Sequence, residues 1–291
     1  MTNKIPSLLR SVLYVPASNP RALEKSAHLG ADGLIFDLED SVAPNAKPLA
    51  RQQALATLRL PMRPFRTVRL NGLQSAYWQE DLKTILPGHP DAIILPKMEQ
   101  PVELDSFILF LQNLEQAHSL NFRCAIWPMI ETPIGVQNSY ELARRARVGA
   151  LVMGTSDLGN ALRLRLGKKD RQPLYFALQQ TILAARAAEV AVFDGVFVDL
   201  TDPEGFKEEC EEGARLGFDG KTVIHPSQVQ PANQAFLPTA HEIAKAQHLR
   251  SQWLEAESRG EEICLVDGQL VERLHVEQAE RMIHLWQQSI K

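Results

Sequence analysis

The sequence predicts an α/β fold, a closed TIM-type (β/α)₈ barrel with a small C-terminal helical and hairpin subdomain. Three observations carry that expectation. Eight short apolar, β-branched runs recur between Ser11 and His225, helix-like segments separate them, and no Gly-x-Gly-x-x-Gly follows the first run. Near-continuous apolar runs mark strands buried on both faces, as in parallel sheets. Alternation with helices implies right-handed crossovers, and eight repeats favour closure over an open sheet. The missing glycine fingerprint counts against a dinucleotide-binding arrangement. A chain of 291 residues accommodates one barrel and an appendage.

In order, the expected strands are Ser11–Pro16, Gly33–Leu38, Arg66–Asn71, Ala92–Lys97, Cys124–Glu131, Ala150–Gly154, Asp194–Leu200 and Gly220–His225. After the first, Ser18-Asn19 followed by Pro20 is a helix N-cap signal, so a helix is expected over Pro20–Leu29, stopped by Gly30. Further helices are expected over Gln137–Arg147 after a Pro-Ile-Gly turn, over the Ala/Leu-rich Leu174–Ala188, and over Glu204–Leu216 before Gly217. Beyond Pro238 the character changes. A polar helix over Thr239–Ser258 ends at Arg259-Gly260, a hairpin over Ile263–Val271 turns about Asp267-Gly268, and a last helix covers His275–Ser289. The expected division is a catalytic barrel over 1–237 and a lid or oligomerisation subdomain over 238–291.

Composition narrows the function classes. With 45% hydrophobic and 23% charged residues the chain reads as an ordinary globular protein, large enough to need no disulfides. The net charge is −4, and no basic run or basic stripe with interleaved aromatics occurs, which argues against nucleic-acid binding. Cys124, Cys210 and Cys264 are scattered without CxxC spacing, as expected of reduced, buried thiols in the cytosol. The opening MTNKIPSLLR lacks the apolar core of a secretory signal, and no window of 18 apolar residues exists. The expectation is a cytoplasmic protein without a membrane span.

Active sites of such barrels lie at the C-terminal ends of the strands. Those ends carry Asp37, Glu39 and Asp40, then Arg69 and Asn71, Lys97, Glu131, Asp157 just past the sixth strand, and His225. Glu131 and Asp157 come from adjacent strands, about 5 Å apart. They offer hard oxygen ligands, and two carboxylates completed by water and a chelating substrate suit Mg²⁺. The bland alternative is that each caps a helix or pairs with an arginine. No His/Cys cluster suggests zinc. Arg69 points into the expected mouth, where a guanidinium suits a substrate carboxylate or an enolate oxygen, or an ion pair with the nearby acids, or both. Strand alternation sends Asp37 and Glu39 to one side and Asp40 into the loop. Clustered acids can tune one another for proton transfer, although such a cluster is more often a solvated loop. Lys97 and His225 also fit as hydrogen-bonders of the rim.

The segments RSVLYVP from Arg10 to Pro16, Asp37-Leu-Glu-Asp40, Val68-Arg-Leu-Asn71, Leu95-Pro-Lys97, Ile130-Glu-Thr132, Gly154-Thr-Ser-Asp157 and Gly217–Pro226 occur in that order. With them, over roughly residues 8 to 290, the chain resembles the citrate lyase β-subunit-like branch of the HpcH/HpaI aldolase superfamily, which includes malyl-CoA and citramalyl-CoA lyases. The resemblance implies that Glu131 and Asp157 are Mg²⁺ ligands, with Mn²⁺ as the alternative ion. It implies that Arg69 steadies the acyl-CoA enolate, that Asp37 binds Arg69, and that Glu39, beside Asp40, holds metal-bound water. Tyr14 and Lys25 match positions that contact coenzyme A, Lys25 facing its phosphates. The implied reaction is reversible cleavage of a malyl-CoA or citramalyl-CoA type thioester to acetyl-CoA and a 2-oxo acid, by a homotrimer or hexamer. Its alternatives are a citrate lyase β subunit, acting on citryl groups of an acyl carrier protein with α and γ partners, and a malyl-CoA thioesterase or malate-synthase-like hydrolase.

One position departs from the family pattern. Where the family carries an aspartate that reaches a neighbouring active site as general acid/base, this chain reads Gly268-Gln-Leu-Val-Glu272. Glu272 keeps the carboxylate but moves it by about one C–C bond, ~1.5 Å. A displacement of ~1 Å can cost about 10²-fold in rate.

Overall fold

In the computed structural model, which describes residues 8–120, 122–165 and 171–290, the opening stretch read for a leader falls largely outside the described residues. Eight parallel strands close into a barrel in chain order. They are β1 (Ser11–Pro16), β2 (Gly33–Asp37), β3 (Phe65–Arg69), β4 (Ala92–Leu95), β5 (Ala125–Ile130), β6 (Ala150–Met153), β7 (Ala191–Asp194) and β8 (Gly220–Val223). β1 pairs with both β2 and β8, which closes the ring. The fold expected from the sequence is the one observed.

Alternate residues of a strand face one side, and here the inward set is apolar. Val12, Ile35, Ile94, Trp127, Met129, Val152 and Phe193 form one buried cluster. The Trp127 ring stacks on Phe65 and on Phe193, with centroids 5.5 and 4.9 Å apart. This plug fills the barrel, so the residues at the strand ends above it sit on a floor rather than over a pore.

The opposite, N-terminal rim is laced with ion pairs that also serve the strands. Asp32 accepts the backbone N–H of Arg10 at 2.8 Å and its guanidinium Nε at 2.7 Å. Asp91 does the same for Arg66, and Asp219 takes the Val192 N–H while pairing with Arg186.

The seventh strand corrects the expectation. It ends at Asp194 instead of starting there, and residues 195–200 form a loop. AVFDGVFVDL holds two apolar halves about Gly195, and periodicity does not choose between them. Tertiary partners do: the buried Asp194 receives Arg171 at 2.8 and 2.9 Å and Lys221 at 3.0 Å. The helix expected over Gln137–Arg147 is two short ones, Pro133–Gln137 and Ser139–Ala143. Asn138 breaks it, its side-chain amide turned away to donate to the Glu99 carbonyl at 2.8 Å.

The chain forms two compact units, the first running to Asn233 and the second starting at Gln234. In the second, the helix Ala240–Ser258 opens on a capping box between Thr239 and Glu242. The hairpin β9 (Cys264–Val266) and β10 (Gln269–Val271) turns through Asp267 and Gly268, at φ 51° and 78°. Positive φ at both positions is what a two-residue turn of this hand requires. The helix Arg273–Ser289 follows, and Trp253, Val266, Val271 and Val276 make a core of their own. Cys124 and Cys210 are buried, Cys264 is half-buried, and all three are free thiols. Among the described residues, no helix is long and apolar enough to cross a membrane.

Candidate active site

Asp37 and Arg69 close neighbouring strands and are register partners across β2 and β3. That adjacency lets Arg69 donate from Nε to Asp37 Oδ1 at 2.7 Å and from Nη2 to Oδ2 at 2.8 Å. Such a two-pronged pair fixes the plane of the guanidinium as well as its charge. Its remaining nitrogen, Nη1, meets Glu39 at 3.0 Å and Asp40 at 3.2 Å, and its face lies 4.9 Å from the Tyr14 ring. Asp37 also accepts the backbone N–H groups of Glu39 and Ser41, at 3.0 and 3.1 Å. Burial opposes charge on Asp37, but the Arg69 guanidinium outweighs it and holds the carboxyl below its ordinary range. Arg69 is thus ion-paired with the acidic run, and it also lines a cavity.

That cavity, about 400 Å³, is lined by Tyr14, Asp37, Asp40, Arg69, Glu131 and Asp157, with Met129, Val196 and Ile224 among its apolar walls. Glu131 follows β5 and Asp157 stands in the first turn of the helix Thr155–Ala161 after β6. The two strands pair through Met129–Val152 and Ile130–Met153. Lys97 takes a left-handed conformation, φ 51°, and its backbone N–H donates to Glu131 Oε1 at 2.7 Å. On the other side, a Cβ at Gly154 would come 2.4 Å from both Cβ and Oε2 of Glu131. No other residue fits there without displacing the acid.

Burial pushes Glu131 up to about 8, and the charges of Glu39 and Asp157 add to the shift. Burial likewise pushes Glu39 up to about 7, against the pull of Arg69. For Lys97 burial works against the charge, but Glu39, Asp157 and Glu131 together raise its pKa. A buried acid with so high a pKa invites either a proton or a cation. Among the described residues, no group of three or more His, Cys, Asp or Glu side chains is set up to hold a metal ion. An ion at this place would have Glu131 and Asp157 and would draw its other ligands from water or substrate, the usual arrangement for Mg²⁺. The residues present fit that group.

Other residues singled out in the sequence lie outside the lining. Glu39 is tucked against Arg69. Lys97 serves Glu131 through its backbone, its side chain being exposed. Lys25 is exposed on the helix Pro20–Ser26. His225 is exposed at the start of the helix Pro226–Ala235, where Nδ1 accepts the Ser227 N–H at 3.2 Å. Glu272 is the N-cap of Arg273–Ser289 in the second unit, its own N–H donating to His275 Nδ1 at 3.1 Å. Sequence reasoning missed Gly154 and Gly195. A Cβ at Gly195 would lie 2.5 Å from Thr155 Oγ1. Both directly follow a strand, β6 and β7; the sequence offered that signal for Gly154, whereas the misplaced seventh strand hid Gly195.

The model of the HpcH/HpaI aldolase/citrate lyase family matches residues 10–226. A (3S)-malyl-CoA thioesterase of Cereibacter sphaeroides is 39% identical over 92% of this chain and 90% of its own. The mitochondrial citramalyl-CoA lyase of Homo sapiens is 30% identical over 95% of this chain and 85% of its own. Among solved structures, protein CitE from Mycobacterium tuberculosis, in complex with magnesium, acetoacetate and coenzyme A, is 27% identical with a TM-score of 0.78. The match covers 97% of this chain and 99% of that one.

Proposed function

This chain belongs to the HpcH/HpaI aldolase/citrate lyase family and is an enzyme of the lyase type, and from that premise we propose a reversible, Mg²⁺-dependent carbon–carbon lyase. Its substrate is a malyl-CoA or citramalyl-CoA type thioester, split to acetyl-CoA and glyoxylate or pyruvate. One observation carries the reading: Arg69, locked by Asp37, opens onto the same cavity as Glu131 and Asp157.

Glu131 and Asp157 would hold Mg²⁺ or Mn²⁺, which when bound supplies the charge that lowers the pKa of a substrate hydroxyl. A carboxylate of the mouth takes the hydroxyl proton. The electron pair of the C–C bond moves into the thioester carbonyl, and a 2-oxo acid departs. The Arg69 charge faces the enolate oxygen and, being held by Asp37 beforehand, needs no reorganisation as charge develops. Glu272, in the place of the family aspartate, is the proposed acid that returns a proton to the enolate carbon, so no net proton is consumed. Its placement in the second unit suits the reading of that unit as a lid or oligomerisation subdomain of a trimer or hexamer. Tyr14 lines the cavity, and with Lys25 it is the proposed contact for coenzyme A, in a cytoplasmic enzyme.

Identity to a thioesterase at 39% favours a second reading, hydrolysis of the same class of thioester. Incubation of the purified protein with Mg²⁺ and malyl-CoA or citramalyl-CoA, with products identified by mass, separates the two. Acetyl-CoA with a 2-oxo acid supports the lyase. Free CoA with an intact hydroxy diacid supports the hydrolase, and no conversion of either thioester rejects both.

A further inference from the structure

Behind the acidic loop lies a buried polar cluster that the reaction does not use. Lys47, Arg51, Asn71 and Asp81 are 5, 7, 4 and 0% exposed. The helices Lys47–Leu58 and Trp78–Ile85 and the chain just past β3 bring them together. Lys47 Nζ donates to the Leu38 carbonyl at 2.9 Å, to the Glu39 carbonyl at 3.1 Å and to Asn71 Oδ1 at 2.6 Å. An ammonium has three donors, so all are spent, two of them on peptide carbonyls inside the Asp37–Asp40 run. Asn71 Nδ2 reaches the Leu38 carbonyl as well, at 3.0 Å, and Asp81 Oδ2 at 2.6 Å. Asp81 in turn accepts the Asn71 N–H at 3.0 Å and Arg51 Nε at 2.6 Å.

Burying an ammonium is unfavourable, and apolar side chains of similar volume often pack such a place with equal or better stability. What the charge achieves is geometric. It fixes two consecutive peptide units between the carboxylates that converge on Arg69. We propose that Lys47 is a positioning residue that, with Asn71 and Asp81, holds the Leu38 and Glu39 peptides so that Glu39 and Asp40 join Asp37 on Arg69. This rests on the reading of Arg69 given above. Without Lys47, the pair between Asp37 and Arg69 survives on its own strands, while Glu39 and Asp40 drift. Substrate still binds, but the guanidinium is no longer held on its far side.

The test uses the full-length protein and three variants. K47M removes the donors at similar length. R147M breaks the Arg147–Glu115 pair on the opposite rim and controls for lost stability. Amide hydrogen exchange of Glu39 and Ser41, whose N–H groups bond Asp37, should quicken by about tenfold or more in K47M and stay unchanged in R147M. In K47M kcat should fall about 10²-fold while KM stays within about threefold. Wild-type exchange and kcat in K47M overturn the proposal, as does an equal loss in R147M. If K47M does not fold, K47R serves instead, since a guanidinium keeps the charge but cannot set three donors about one atom. Faster exchange in K47R supports the proposal, and wild-type exchange with wild-type kcat overturns it. Absence of turnover by the wild type would sink the lyase reading, yet the exchange comparison would still decide the role of Lys47.

Discussion

The two rims of the barrel use the same residue types to opposite ends. Around the N-terminal rim Asp32 meets Arg10 at 2.7 Å, Asp91 meets Arg66 at 3.2 Å, Glu115 meets Arg147 at 2.6 Å and Asp219 meets Arg186 at 2.8 Å. Each acid there has an arginine of its own. At the C-terminal rim Asp37, Glu39 and Asp40 share the single guanidinium of Arg69, and Glu131 is met by a backbone N–H. The consequence is electrostatic: burial pushes Glu131 up to about 8 and Glu39 up to about 7. Balanced charge holds strands in place, whereas surplus charge of one sign in a cavity creates an affinity for what neutralises it. The mouth gives up stability that the opposite rim keeps, the usual trade where a site must bind.

The largest expected effect comes from removing the surplus itself. E131A should abolish Mg²⁺-dependent turnover and Mn²⁺ binding measured by electron paramagnetic resonance; full turnover would put the surplus to some other use. Next, R69K keeps the charge but loses the two-pronged pair with Asp37, and kcat should fall about 10²-fold. In G154A the new methyl displaces Glu131, so activity should drop about tenfold or more and stability by about 1–3 kcal/mol. Full activity in G154A would show that the contact drawn from Gly154 is slack. On the paired rim the pattern should invert: R147M should cost about 2–4 kcal/mol in denaturant unfolding with kcat per folded molecule unchanged.

The smallest effect concerns pH. Glu131 has an ordinary value of 4.5 when unfolded and is pushed up to about 8 when folded. Between those values the folded chain binds the proton and the unfolded chain does not, so this group lowers stability as pH rises through that window. E131Q removes that slope. In EDTA its melting temperature should match the wild type at about pH 4.5 and exceed it by a few degrees at about pH 8. A gap that shrinks as pH rises would contradict the contrast between the rims.

Legibility in the sequence followed the range of the interactions. Arg69, Glu131 and Asp157 could be found because each terminates or follows an apolar run, and a parallel barrel sends all such ends to one mouth. Lys47, Asp81 and Arg51 could not. They lie on helices with ordinary sequences, and their partners are 8 to 30 residues away, as in Lys47 to Glu39 and Arg51 to Asp81. His225 was visible as a polar residue at a strand end and Lys25 only through the family resemblance, and both are exposed outside the cavity lining.

By itself the sequence determined seven of the eight strand segments, that strands alternate with helices, and hence that a parallel sheet of eight closes. Those are local consequences of apolar period and of chirality. Tertiary structure alone decided where β7 stops, because Asp194 needed Arg171 and Lys221. It alone decided that Glu131 is pressed between Gly154 and the Lys97 N–H. Such choices depend on groups distant in the chain meeting out of water, and no pattern along one strand records them.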